Sequence, residues 1–121
     1  MVHIAIKGTQ IVITPSLDLY IHQRLQSLDK FIKPLLEKED VMLKVEIART
    51  THHHKKGEKV YYVEFTVAIY GKTIRIEQYG DDVRGAIDIA RDRLKRELRR
   101  RVEKLRTSTL PRSIRDKKVV E

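Results

Sequence analysis

Residues 41–48 read VMLKVEIA, residues 61–69 read YYVEFTVAI, and residues 72–79 read KTIRIEQY. Each is a strict alternation. Val41, Leu43, Val45 and Ile47 point one way, and Met42, Lys44, Glu46 and Ala48 the other. Tyr61, Val63, Phe65, Val67 and Ile69 oppose Tyr62, Glu64, Thr66 and Ala68, and Ile74 and Ile76 carry the pattern on to about Tyr79. Successive side chains of a strand face opposite sides of a sheet. One-sided alternation in three consecutive segments therefore predicts an antiparallel meander with one face buried and one wet. Gly71 marks the tight turn between the second and third, and Arg49 to Lys59, polar and containing Gly57, reads as the loop between the first two.

On the N-terminal side, residues 2–6 (VHIAI) and 11–13 (IVI) are β-prone runs and predict a first strand, bent at Gly8. Thr14-Pro15 then opens a helix: threonine caps well, proline suits the first helical position, and Asp18 lies in the first turn, where the helix dipole favours an acid. Leu17, Ile21, Leu25, Leu28 and Ile32 follow at spacings of three and four and form one apolar face. Pro34 disfavours helical geometry at Lys33 and is expected to stop the helix there, and Glu37 to Asp40 form a charged connection.

On the C-terminal side, Gly80 breaks the last strand and Asp81 or Asp82 caps a second, longer helix. Its apolar stripe is Val83, Ala86, Ile87, Ala90, Leu94, Leu98, Val102 and Leu105, with Gly85 read as a close-packing point against the sheet. From Thr107 to Glu121 periodicity is lost and Pro111 intervenes, which predicts a flexible basic tail after a domain spanning residues 1–106. The order β-α-β-β-β-α, with two amphipathic helices and a one-sided sheet, predicts an α+β two-layer sandwich: four strands, both helices on the same face.

Composition limits what such a domain does. With 40% apolar and 36% charged residues the chain is globular rather than disordered. It has no cysteine, which excludes disulfides, thiolate zinc sites and cysteine nucleophiles. Neither a membrane span nor a signal peptide is legible, so a cytoplasmic location is expected. The net charge is +9, and it is local: residues 1–90 carry 13 Lys/Arg against 12 Asp/Glu, residues 91–121 carry 13 against 5. A concentrated positive excess is an electrostatic footprint for a polyanion.

That excess has a geometry. At about 100° per residue, with Ile87 at zero, Val83, Ala90, Leu94, Leu98, Val102 and Leu105 fall within roughly 60° of it. Arg93, Arg96, Arg100 and Lys104 fall at roughly 180–260°. The sector holds no acid, with Glu97 and Glu103 at its borders, whereas the other flank interleaves Asp88 and Asp92 with Lys95, Arg99 and Arg106. A charge-rich helical face is commonly just solvated. Here the acid-free sector favours a contact surface, and arginine's planar fork suits phosphate. No aromatic interleaves with the arginines, so the pattern fits a track of phosphates rather than base reading.

Other sites are weaker. His52, His53 and His54 are adjacent, and neighbours in an extended chain point to opposite sides, so no metal is expected there; the loop with Lys55 and Lys56 is read as solvated or touching RNA. Ser16, Ser27, Ser108 and Ser113 lack a nucleophile-elbow context, and no phosphate-binding glycine loop occurs, so neither enzyme chemistry, a cofactor nor a small-molecule substrate is expected. Tyr61, Tyr62, Tyr70 and Tyr79 are read as packing or edge residues rather than base-stacking platforms.

Residues 14–31 with their preceding isoleucine, ITPSLDLYIHQRLQSLDKF, and residues 81–105, DDVRGAIDIARDRLKRELRRRVEKL, resemble the first and second helices of the ribosome hibernation-promoting factor and protein Y family. The likeness runs from residue 1 to about 106, with the strand order in agreement. It implies a fold like a double-stranded-RNA-binding domain, docking on the ribosomal RNA of the small subunit between head and body, and inhibition of translation by exclusion of messenger and transfer RNA. Carried over from the family, the RNA-contacting positions are Arg24, Lys30, Arg93, Arg96 and Arg100; the last three already belong to the basic sector, which adds Lys104. The long form of the family has a further C-terminal dimerisation domain that this sequence does not contain, and protein Y ends in an acidic tail where this one has Arg112, Arg115, Lys117 and Lys118. Pairing of ribosomes and silencing of single ones both stay open. A general duplex-RNA-binding module is the alternative.

Overall fold

The computed structural model describes residues 2–32, 41–50, 60–69 and 71–109, with the side chains of 3–30, 41–50, 60–69 and 71–104. The stop at Pro34, the 37–40 connection, the His52–His54 loop, Tyr70, the side chains of Ile32, Leu105 and Arg106, and residues 110–121 lie outside them. Strand β1 (Val2–Thr9) leads into α1 (Pro15–Gln26) and the single turn α2 (Asp29–Ile32). Then come β2 (Val41–Arg49), β3 (Tyr61–Ile69), β4 (Lys72–Gly80) and α3 (Val83–Thr109). The strands lie in the order β1-β2-β3-β4. β1 pairs with β2 in parallel, through the helical crossover such a pair requires; β2–β3 and β3–β4 are antiparallel. This is the α+β two-layer sandwich expected.

The alternation does what it predicts. Val41 to Ile47, Val63 to Ile69, Ile74 and Ile76 turn their inward members into one core with Leu17, Ile21, Leu25 and Leu28 from the first helical segment and Ala86, Ile87, Ala90, Leu94, Leu98 and Val102 from α3. No charged or polar residue is buried there among the described residues. Among the described residues the polar and charged side chains therefore lie on the two outer surfaces.

Four local features differ from the sequence reading. The first strand does not resume at Ile11. Gln10 takes a left-handed φ of 57° and turns the chain. Ile11 and Ile13 pack against the core from the loop, and a Cβ at Gly8 would lie 2.7 Å from the Ile11 carbonyl oxygen, so the doubling back needs glycine there. The first helix is broken before Ile32. The Leu28 N–H donates to Leu25 O at 3.0 Å, a tightened last turn, while the Ser27 hydroxyl donates to Arg24 O at 2.9 Å and competes for a helical acceptor. Leu28 stays fully buried across the break. The close-packing glycine is Gly80, where a Cβ would meet the Ala86 Cβ at 3.0 Å. Gly85 instead leaves room for the cap: a Cβ there would stand 3.1 Å from Asp82 Oδ2. Finally, α3 continues to Thr109.

Both helix starts behave as read. The Leu17 N–H donates to Thr14 Oγ1 at 3.1 Å, with Pro15 at the first position. At α3, Asp82 is the cap: its carboxylate accepts from the Gly85 N–H at 2.9 Å and its carbonyl from the Ala86 N–H at 2.9 Å.

Candidate nucleic-acid interface

Helix α3 holds ten lysines and arginines against four acids, and the fold decides where each can point. The helix lies over β3 and β4, with α1 on its other side. Side chains opposite the apolar stripe face solvent, those on one flank meet β4, and those on the other flank meet α1.

Arg96, Arg100 and Lys104 are exposed on the outer face. Arg100 donates to Glu97 Oε1 at 3.0 Å, one turn back, with its own side chain 69% exposed. Such an exposed ion pair contributes little to stability. Arg93 is placed differently from its three companions. It is half-buried on the β4 flank and donates to the Glu77 carbonyl and, at 3.0 Å, to Gln78 Oε1. The sequence sector is thus three outward cations and a fourth laid over the sheet edge, its guanidinium fixed by the backbone of β4.

The two α1–α2 residues lie elsewhere. Lys30 is exposed on α2. Arg24 stands at the seam between α1 and α3, where its Nε donates to Asp88 Oδ1 at 3.2 Å and its guanidinium carbon lies 5.0 Å from the Tyr20 ring centre. The Tyr20 hydroxyl donates to the same Asp88 oxygen at 2.7 Å. Partial burial first, then this hydrogen bond to a carboxylate, pushes the Tyr20 phenol above its ordinary pKa, so it stays a proton donor at any physiological pH. Asp88, one of the acids of the charge-balanced flank, therefore orients Arg24 rather than shielding α3.

Sequence reasoning missed Arg84 and Arg91. Arg84 Nη2 donates to Ser16 Oγ at 3.0 Å, with its guanidinium carbon 4.7 Å from the Tyr20 ring centre. Arg91 donates to Ser27 Oγ and Arg24 O and pairs with Asp92 at 3.0 Å. The contacts Ser16–Arg84, Tyr20–Asp88 and Ser27–Arg91 step along both helices in the same direction, so α1 and α3 run parallel. A signal was present: at about 60° and 40° from Ile87 both arginines intrude on the apolar sector. In a layer of two helices, such intruders mark the neighbour's seam.

The opposite surface of the molecule has another character. Glu46, Glu64 and Glu77 stand directly opposite one another on β2, β3 and β4, with Lys7 completing the row on β1. Arg75 bridges Glu64 and Glu77, both at 3.0 Å, and Tyr62 donates to Glu64. That hydroxyl, and after it Arg75, holds the Glu64 carboxyl below its ordinary pKa despite partial burial. Tyr62 and Tyr79 lean together with ring centres 5.0 Å apart. Here Arg75 is spent on two acids, and three acids in one row repel a phosphate chain. Among the described residues no group of three metal-ligating side chains gathers, and no helix is long and apolar enough to cross a membrane.

The family model for the Sigma 54 modulation protein / S30EA ribosomal protein matches residues 4–106. The chain belongs to that family. A curated relative, the ribosome hibernation promotion factor of a Picosynechococcus species, is 32% identical over 100 residues, covering 82% of this chain and 48% of the relative. The chain thus spans about half the length of that relative. Among solved structures, the N-terminal domain of Thermus thermophilus Protein Y is similar with a TM-score of 0.64 at 27% identity, covering 83% of this chain and 98% of that one. A ribosomal subunit interface protein from Coxiella burnetii shares the fold, with a TM-score of 0.56 at 21% identity, over 79% and 92% of the two chains. The family match falls on the sandwich, whose outer helical surface carries the arginines.

Proposed function

We propose that this protein is a cytoplasmic ribosome hibernation factor. It binds the ribosomal RNA of the small subunit in the decoding cleft, occupies the space of messenger and transfer RNA, and so inhibits translation by occlusion rather than by chemistry. The observation that carries the reading is the concentration of cations on one surface of a fold shared with ribosome-associated relatives: exposed Arg96, Arg100 and Lys104, with Arg93 at the sheet edge, Lys30 on α2 and Arg24 at the seam. Arginine forks bind phosphate oxygens in pairs, and several such contacts along one helix follow a backbone without reading its sequence.

Sedimentation of ribosomes through a sucrose gradient with added protein tests this. The protein is expected to travel with small subunits and to be displaced by messenger plus initiator transfer RNA. Simultaneous, independent binding of all three rules out the cleft. Equal loss of subunit binding to any excess duplex RNA identifies a general duplex binder instead.

A further inference from the structure

Arg84 is an exposed arginine at the start of α3 that has no acidic partner among the described residues. Its contacts are neutral: the Ser16 hydroxyl at 3.0 Å and the Tyr20 ring face, 4.7 Å from guanidinium carbon to ring centre. Arg24 lies 5.0 Å from the centre of the same ring. The two guanidinium carbons are therefore no further apart than the sum of those two distances. Asp88 faces Arg24, leaving the second cation of the pair uncompensated.

A staple between helices does not need this arrangement. Tyr20, Asp88 and Arg24 already tie α1 to α3 with hydrogen bonds and an ion pair. Arg84 adds a second like charge on the ring that Arg24 also faces, a concentration of positive charge that an anion at the seam would relieve. The ring supplies a flat support that orients both forks, since a guanidinium stacks readily on an aromatic face. Each fork has five donors, and the recorded bonds to Ser16 and Asp88 leave most of them directed elsewhere.

We propose that Arg84 and Arg24, braced on Tyr20, form a clamp for RNA backbone phosphate at the α1–α3 seam, separate from the outer ridge of α3. The proposal rests on the RNA-binding reading above and extends it: the molecule grips RNA along two lines, the ridge at Arg96, Arg100 and Lys104 and the seam at Arg84 and Arg24. RNA rather than an acidic protein segment is the favoured occupant because the seam lies on the same helix, and on the same surface, as the ridge.

The experiment measures binding to small subunits and to their protein-free RNA across a salt series, alongside thermal melting. Its chains are the wild type, Arg84→Gln, Ser16→Asp and the ridge variant R96A/R100A. Arg84→Gln keeps a donor for Ser16 and removes the charge. Binding is expected to weaken about tenfold on both targets, with the log–log salt slope falling by about 1, the loss of one phosphate contact. Ser16→Asp provides the same test without touching Arg84. An acid in the first turn of α1 suits the helix dipole, so melting holds or rises while the new carboxylate occupies the Arg84 fork and binding falls. An unchanged salt slope in both variants, with wild-type binding intact, overturns the clamp. Loss confined to intact subunits, absent on protein-free RNA, also overturns it and assigns the seam to a protein contact. If wild type itself shows no salt-dependent binding, or R96A/R100A leaves binding untouched, the RNA reading of the ridge fails first and independently of the seam.

Discussion

The two faces of this sandwich are built from similar numbers of elements and differ in how they dispose of charge. On the open sheet face, Arg75 bridges Glu64 and Glu77 across two strands, and Lys7 stands in register with Glu46. On the helical face Asp88 and Asp92 pair with Arg24 and Arg91 at the seam and Glu97 with Arg100, leaving Arg96 and Lys104 outward. Formal charge alone does not separate a binding surface from a solvated one. What separates them is whether neighbouring acids neutralise the cations or position them.

The comparison breaks most visibly under charge removal. Replacing Arg93, Arg96 and Arg100 together by Ala is expected to weaken small-subunit binding by about a hundredfold or more, because several charge-assisted phosphate bonds vanish together. Replacing Lys7 and Lys44 on the sheet removes cations from the other face and is expected to change binding by less than about twofold, as screened surface charges remote from the contact do. Equal losses from both faces, measured by the same filter or gradient assay, would show that total charge is what matters.

A finer cut lies within α3. Substituting Lys95 and Arg99, on the flank bordered by Asp92 and Glu103, is expected to cost less affinity than R96A/R100A, by roughly tenfold. Comparable losses would dissolve the ridge into a uniformly basic helix.

The arginines also differ in stability. Arg93→Ala removes hydrogen bonds to the Glu77 carbonyl and Gln78 and is expected to cost about 1 kcal/mol. Arg96→Ala is expected to be neutral or slightly stabilising, since alanine is the better helix former and an exposed charge contributes little. Melting curves of the two single variants decide this.

The smallest effect belongs to the sheet. Glu64 has a folded pKa below its unfolded value, so its stabilisation is fully present above the ordinary carboxylate range, about 4.3. It is lost as pH falls through the lower folded value. Glu64→Gln is expected to melt a little earlier than wild type at neutral pH, with the gap closing below about pH 4. A gap that stays constant into acid would deny the carboxylate its role.

Much of this was legible in sequence because periodicity reports packing directly. The alternation of β2, β3 and β4 fixed which residues meet the helices, and Thr14-Pro15 and Asp82 marked the helix starts. What escaped depends on neighbours in space. The turn at Gln10 follows from the Ile11 carbonyl crossing over Gly8, and the break at Ser27 from its hydroxyl taking the Arg24 carbonyl. A helical wheel found the outward cations of α3, but drawn for one helix it had no α1 beside it. It therefore grouped Arg93 with residues that face solvent, set Asp88 among the acids that balance α3's own cations, and left Arg84 and Arg91 out.

The central claim is that the helical surface holds ribosomal RNA through its phosphates. The measurement that reaches it most directly is the salt dependence of small-subunit binding for wild type and the Arg93, Arg96, Arg100 triple Ala variant. Each neutralised phosphate releases counterions, so wild type should lose affinity steeply as salt rises, and the variant's log–log slope should be shallower by about 2 to 3. Parallel slopes for the two proteins, or a wild-type slope near zero, would contradict it.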